Sequence, residues 1–210
     1  MNFLKKHPWI SIIVIIHFVG LIGLSLPFFR EELLPLSSVN LLITALFVFF
    51  ALKKENKHAY WILAILFFMG MAVEILGVKT GFPFGEYAYG TVLGPKLGGV
   101  SLIIGFNWFY LVVCAVAVTQ YLTNKKWLIT LIAPLLLTLM DILIEPVAIA
   151  LEYWHWELVE VPLSNYIAWY VVSIPMVLLY LRLARNPPKR FPAQVIVVQV
   201  VFFLVLNGVL

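Results

Sequence analysis

Two carboxylates one helical turn apart, Asp141 and Glu145, interrupt the apolar run LMDILIEPVAIALEY of residues 139–153, and Pro146 follows the second directly. At 100° per residue, Asp141, Glu145 and Glu152 fall within about 40° of one another, so they form one stripe on a helix. In a membrane such a stripe must face protein or water, because an acid near the bilayer centre costs on the order of 3 kcal/mol and neighbouring carboxylates repel. No Lys or Arg lies near the middle of any apolar run to neutralise the pair. At least one of the two is therefore expected to keep its proton at neutral pH. A neutral acid beside an ionisable one is the pairing that proton transfer requires. The same residues also suit a proton or ion pathway, or structural hydrogen bonding to Tyr, Asn or Ser. Pro146 is expected to leave the Ile142 carbonyl without its helical partner and to kink the helix near the acids.

The composition supplies the membrane. Of 210 residues, 63% are hydrophobic and 11% charged, and the apolar stretches approach the roughly 20 residues that cross about 30 Å of hydrocarbon. Barrel strands would alternate in short runs. The expected fold is all-α, a polytopic helical bundle forming a single integral-membrane domain over residues 1–210, with spans near 8–28, 34–52, 59–77, 100–122, 127–151, 163–184 and 191–210. Lys5 and Lys6 precede the first run as they would in a signal peptide, but no small-x-small cleavage site follows, which points to a retained helix. With a cytoplasmic N-terminus, eleven basic residues, including Lys53, Lys54, Lys125, Lys126 and Arg190, lie inside, and only Arg30, Lys79 and Lys96 lie outside. That bias places the C-terminus outside and the chain in the cell's inner membrane.

Helix rise brings further residues to the level of the acids. Asp141 lies 14 residues from Trp127 and Glu74 lies 14 from Tyr60, each roughly 21 Å from the cytoplasmic edge at about 1.5 Å per residue. Asn107 and Tyr170, seven residues into their spans from the other face, sit roughly 10 Å below it. Glu74 thus joins Asp141 and Glu145 as a candidate catalytic residue. Above this level lie two loops: 77–99, rich in Gly, Pro and aromatics and suited to fold back over the bundle, and EYWHWELVEVP, whose tryptophans suit an interfacial girdle. Glu74, a loop and NWFY are faintly echoed by Glu145, a loop and NYIAWY, as after duplication of a helix pair. Tyr87, Tyr89, Trp108, Tyr166, Trp169 and Tyr170 pack or anchor at the interface, or offer aromatic faces to a transient carbocation.

Other chemistries fit less well. A retinal Schiff base needs a lysine within the last span, which has none, and His17 is the one histidine deep in a span. Glu152 and His155 have metal-ligand spacing but no further donors, so no metal is expected, nor is nucleic acid a partner.

The segments VEILGVKTGFPFGEYAYG, GFNWFY, MDILIEPVA and VPLSNYIAWY, spread from the third span to the sixth, resemble the membrane carotenoid biosynthesis proteins that include carotenoid 1,2-hydratases. Members act on γ-carotene-like or acyclic carotenoids, bisanhydrobacterioruberin among them, and need no organic cofactor. The resemblance implies addition of water across the terminal C1=C2 bond of a C40 carotenoid, giving a tertiary alcohol. Asn107, Trp108, Tyr87, Tyr89, Tyr166, Trp169 and Tyr170 then become candidate substrate-binding residues, with carotenoid and lipid as partners. The resemblance carries no catalytic residue, so Asp141 as general acid, Glu145 as base and Glu74 as a group that shares or reloads the proton come from depth alone. A lycopene-type cyclase would use the same protonation, and a non-catalytic carotenoid carrier or proton-coupled transporter would use none of it. For the topology, a reporter fused after Leu210 should behave as extracytoplasmic; cytoplasmic behaviour would mean a miscounted span.

Overall fold

A computed structural model describes residues 8–158 and 160–210; the expectations placed on Lys5 and Lys6 lie outside them. Within the described residues the helices are α1 (Pro8–Ser25), α2 (Pro27–Leu33), α3 (Leu36–Glu55), α4 (Ala59–Thr80), α5 (Ile103–Leu122), α6 (Lys126–Ala150), α7 (Leu163–Leu183) and α8 (Arg190–Asn207). All but α2 are long and apolar enough to cross a membrane. This is the all-α integral membrane bundle of seven spans that the apolar runs implied.

The boundaries shift for local reasons. The first span stops at Ser25 because Pro27, with its fixed φ and missing N–H, starts a separate short helix, α2. The third runs three residues further than expected, to Thr80, where Gly81 at φ 70 takes the left-handed cap that a side chain disfavours. Pro134 and Pro146 both lie inside α6, which continues through them to Ala150.

α5 forms the centre. It is apolar on every face, and the side chains from Trp108 to Ala117 are all buried, as befits a helix enclosed by others. α3, α4, α6, α7 and α8 pack around it, with α4 against α5 and α6 against α7 making the closest pairs, while α1 leans on α8. Close approach has visible requirements. A Cβ on Gly70 of α4 would lie 2.6 Å from the Trp108 ring, so the absence of a side chain there leaves room for the indole against α4.

The two long loops do more than the sequence suggested. Tyr87–Tyr89 forms strand β1 and Trp154–Trp156 forms β4, paired antiparallel with Tyr87 opposite Trp156 and Tyr89 opposite Trp154. Between them in sequence, β2 (Lys96–Leu97) and β3 (Val100–Ser101) close a hairpin. The β1–β4 ribbon thus joins the α4–α5 loop to the α6–α7 loop across one end of the bundle. Because side chains alternate along a strand, Tyr87, Tyr89, Trp154 and Trp156 share one face, and Ala88 and His155 the other.

Candidate active site

Beneath that aromatic face lies a small cavity of about 30 Å³, lined by Glu74 of α4, Asp141 and Glu145 of α6, Asn165 and Trp169 of α7, Ile104 and Asn107 of α5, and the ribbon with Phe84. It has room for about one or two water molecules. All three carboxylates are buried, between 2 and 4% exposed, so every lone pair they present needs a donor or a ligand.

Each acid is held differently. Glu74 Oε2 accepts from Tyr87 Oη at 2.6 Å and Tyr89 Oη at 2.8 Å, and Oε1 accepts from Trp108 Nε1 at 3.0 Å. All three partners donate, so both Glu74 oxygens serve as acceptors. Glu145 Oε2 accepts from the indoles of Trp154 and Trp156, each at 3.0 Å. Asn165 Nδ2 donates to Asp141 Oδ2 at 2.7 Å and reaches Glu145 Oε1 at 3.5 Å. One carboxylate oxygen of the six remains. Among the described residues Asp141 Oδ1 accepts no hydrogen bond, which leaves it available to carry a proton on the cavity wall.

The phenols stay donors. Burial, reinforced by the negative Glu74, pushes Tyr87 and Tyr89 well above the usual tyrosine range. In the unfolded chain they return to about 10. Their contribution to stability is therefore fully present below pH ~10 and fades as the pH rises above it.

Asp141, Glu145, Glu74, Tyr87, Tyr89, Asn107 and Trp169 all line the same cavity. Trp108 stands just behind it, bonding Glu74 and stacking on Trp169 at 4.1 Å with ring planes 17° apart. Tyr170 does not belong to the site. Its hydroxyl bonds the Leu131 carbonyl at 3.4 Å, ten residues along α6 from Asp141 and roughly 15 Å toward the opposite end. The shared depth ignored the direction in which a side chain leaves its helix. Tyr166 is half-buried on α7 and does not line the cavity either. Glu152 leaves the stripe because the chain turns left-handed there, at φ 56, just beyond the end of α6, and its side chain is exposed. The ribbon lies across the end of the site nearest the loops.

Asn165, Trp154 and Trp156 are partners of the acids that the sequence alone did not single out. The tryptophans looked like an interfacial girdle, yet both indoles turn inward to Glu145. Their signal was the period-two W-x-W spacing of a strand. Asn165 was signalled by the echo, since it and Asn107 stand at like places in the two helix pairs.

The family model for carotenoid biosynthesis proteins matches residues 36–210. Bisanhydrobacterioruberin hydratase of Haloarcula japonica is 31% identical over 133 residues, which cover 60% of this chain and 45% of that protein. The chain thus aligns with about half the length of that curated relative. No solved structure matches the chain.

The roof can be tested by pH. Neither phenol ionises between pH 7 and 9, so Tyr87→Phe should lower carotenoid conversion by a constant factor across that window when pH–rate profiles are compared. A deficit that shrinks steadily toward pH 9 would mean that the parent loses this donor by ionisation.

Proposed function

The chain belongs to the carotenoid biosynthesis protein family, and on that footing we propose that it hydrates the terminal C1=C2 bond of an acyclic carotenoid end group by acid–base catalysis. The observation that carries the reading is the free Oδ1 of Asp141 in a water-sized cavity bounded by acids, amides and aromatic faces. Its relationship to a hydratase supplies the reaction class.

In this mechanism Asp141 delivers a proton from Oδ1 to C2, and the π electrons of the alkene form the new C–H bond. A tertiary cation remains at C1. The aromatic walls and the negative Glu74 stabilise it, the former through their quadrupoles and the latter by charge in a site with little water. A water molecule in the cavity adds its oxygen to C1 and loses a proton to Glu145. The alkene has then gained H and OH, and the enzyme has moved one proton from Asp141 to Glu145. A return transfer between these neighbours on one helix face resets the site. Asn165, bonded to both, keeps their separation fixed. Glu74, with both oxygens held by donors, positions the roof and balances charge; this replaces the proton-reloading role that depth alone suggested.

The cyclase reading differs in one step, capture of the cation by an internal double bond in place of water. Room for water and the polar lining of the cavity favour hydration. The inner membrane and a cytoplasmic N-terminus, inferred from the distribution of basic residues, belong to the same proposal and would put the ribbon on the outer face.

Expression in a carotene-producing host tests the mechanism. Asp141→Asn retains shape but cannot protonate an alkene, so the unhydrated carotene should accumulate at a normal protein level. Glu145→Gln should slow conversion about 10²- to 10⁴-fold, as loss of a general base does. A fully active Asp141→Asn variant would remove Asp141 from the chemistry, and an isomeric apolar product from the parent would make it a cyclase.

A further inference from the structure

A second and larger cavity, of about 270 Å³, adjoins the acid site. It lies among α1, α3, α5, α6 and α8, and the two cavities share Ile104, Asn107 and Trp154 as walls. The side-chain amide of Asn107 stands at this neck and makes no hydrogen bond among the described residues. Four residues of the larger chamber are also exposed on the outside of the bundle: Ile15 and Val19 on α1, and Leu36 and Val39 on α3. A residue that both lines a cavity and faces outward marks an opening, and this one faces the lipid between α1 and α3.

The walls are mostly aliphatic, but one polar group points to a ligand. Gln199 on α8 is 1% exposed and lines the chamber. Its Nε2 donates to Tyr110 Oη at 2.8 Å while its Oε1 has no partner. A buried amide oxygen without a donor is unfavourable, and a hydroxyl in the chamber supplies the donor once the Gln199 side chain turns toward it. Tyr110 lies three residues along α5 from Asn107, so Gln199 sits about one helical turn from the neck.

We propose that this chamber is the seat of the polyene chain, resting on the hydratase reading above. The chain enters sideways from the bilayer between α1 and α3, its end group passes Asn107 to reach Asp141, and the alcohol formed there withdraws to Gln199 on the way out. Length supports a lateral opening. On α1 the chamber runs from Ile15 to Leu24, roughly 13 Å, whereas a C40 polyene is comparable to the roughly 30 Å hydrocarbon core. Only the reacting portion fits, and the remainder must lie in lipid through a permanent gap.

Gly20 provides the test. It lines the chamber, and a Cβ there would meet Phe202 at 3.6 Å and Asn40 at 3.9 Å, which are ordinary contacts. Gly20→Ala therefore fits without a clash and serves as the control, while Gly20→Leu adds bulk at the chamber wall. Binding is measured by quenching of tryptophan fluorescence on purified protein in nanodiscs, in an Asp141→Asn background where nothing turns over, with lycopene and its 1-hydroxy derivative as probes. Gly20→Leu should weaken both probes at least tenfold and Gly20→Ala less than twofold. Gln199→Leu should leave lycopene unchanged and abolish the preference for the hydroxylated probe. Unaltered lycopene binding by Gly20→Leu would overturn the chamber as the seat, and a preference that survived Gln199→Leu would overturn the role of that amide. If the parent hydrates no polyene and Gly20 still controls binding, the chamber stands and the hydratase reading falls. If the parent hydrates and Gly20→Leu converts as well as it does, the chamber falls alone.

Discussion

Three carboxylates buried in an apolar bundle without a basic partner constrain everything around them. A Lys or Arg would have been the simplest neutralising neighbour, but among the described residues none bonds Glu74, Asp141 or Glu145. The donors are instead neutral: two phenols, three indoles and an amide. This has a chemical consequence. A fixed cation beside Asp141 would hold it as a carboxylate and repel a carbocation, whereas neutral aromatic donors satisfy the acids and leave the cavity hospitable to positive charge. The same need explains the ribbon, which projects two donors from β1 onto Glu74 and two from β4 onto Glu145.

The arrangement is close to two-fold. Glu74 on α4 receives from β1 and from the start of α5; Glu145 on α6 receives from β4, with Asn165 at the start of α7 beside it. The two strands pair with each other, and Trp108 of one half stacks on Trp169 of the other. The halves differ where chemistry needs a single actor. Four residues before Glu145 stands Asp141, and four before Glu74 stands Gly70, whose place is taken up by the Trp108 indole. One half carries the free acid oxygen and the other a carboxyl group held by three donors.

Much of this was legible in the sequence, and what was not has a common cause. Spans are set by the cost of exposing backbone and charge to lipid, so run length located the helices to within a few residues. Depth follows from rise per residue, which brought Glu74 and Asp141 to one level. Azimuth does not follow from rise, and for that reason Tyr170 was grouped with residues it turns away from. The inward turn of Trp154 and Trp156 depends on pairing between strands some 65 residues apart, a non-local event that no single segment encodes. Asn165 became meaningful only once α7 was seen to pack on α6.

The central claim is that a buried carboxylic acid protonates an alkene carbon and that water captures the cation. Mass spectrometry and NMR of the product formed in doubly labelled water, ²H₂¹⁸O, test it most directly. The expected alcohol carries ¹⁸O in its hydroxyl and one deuterium on the adjacent carbon, because both atoms come from solvent. Oxygen derived from O₂, or a product without deuterium on that carbon, would contradict it.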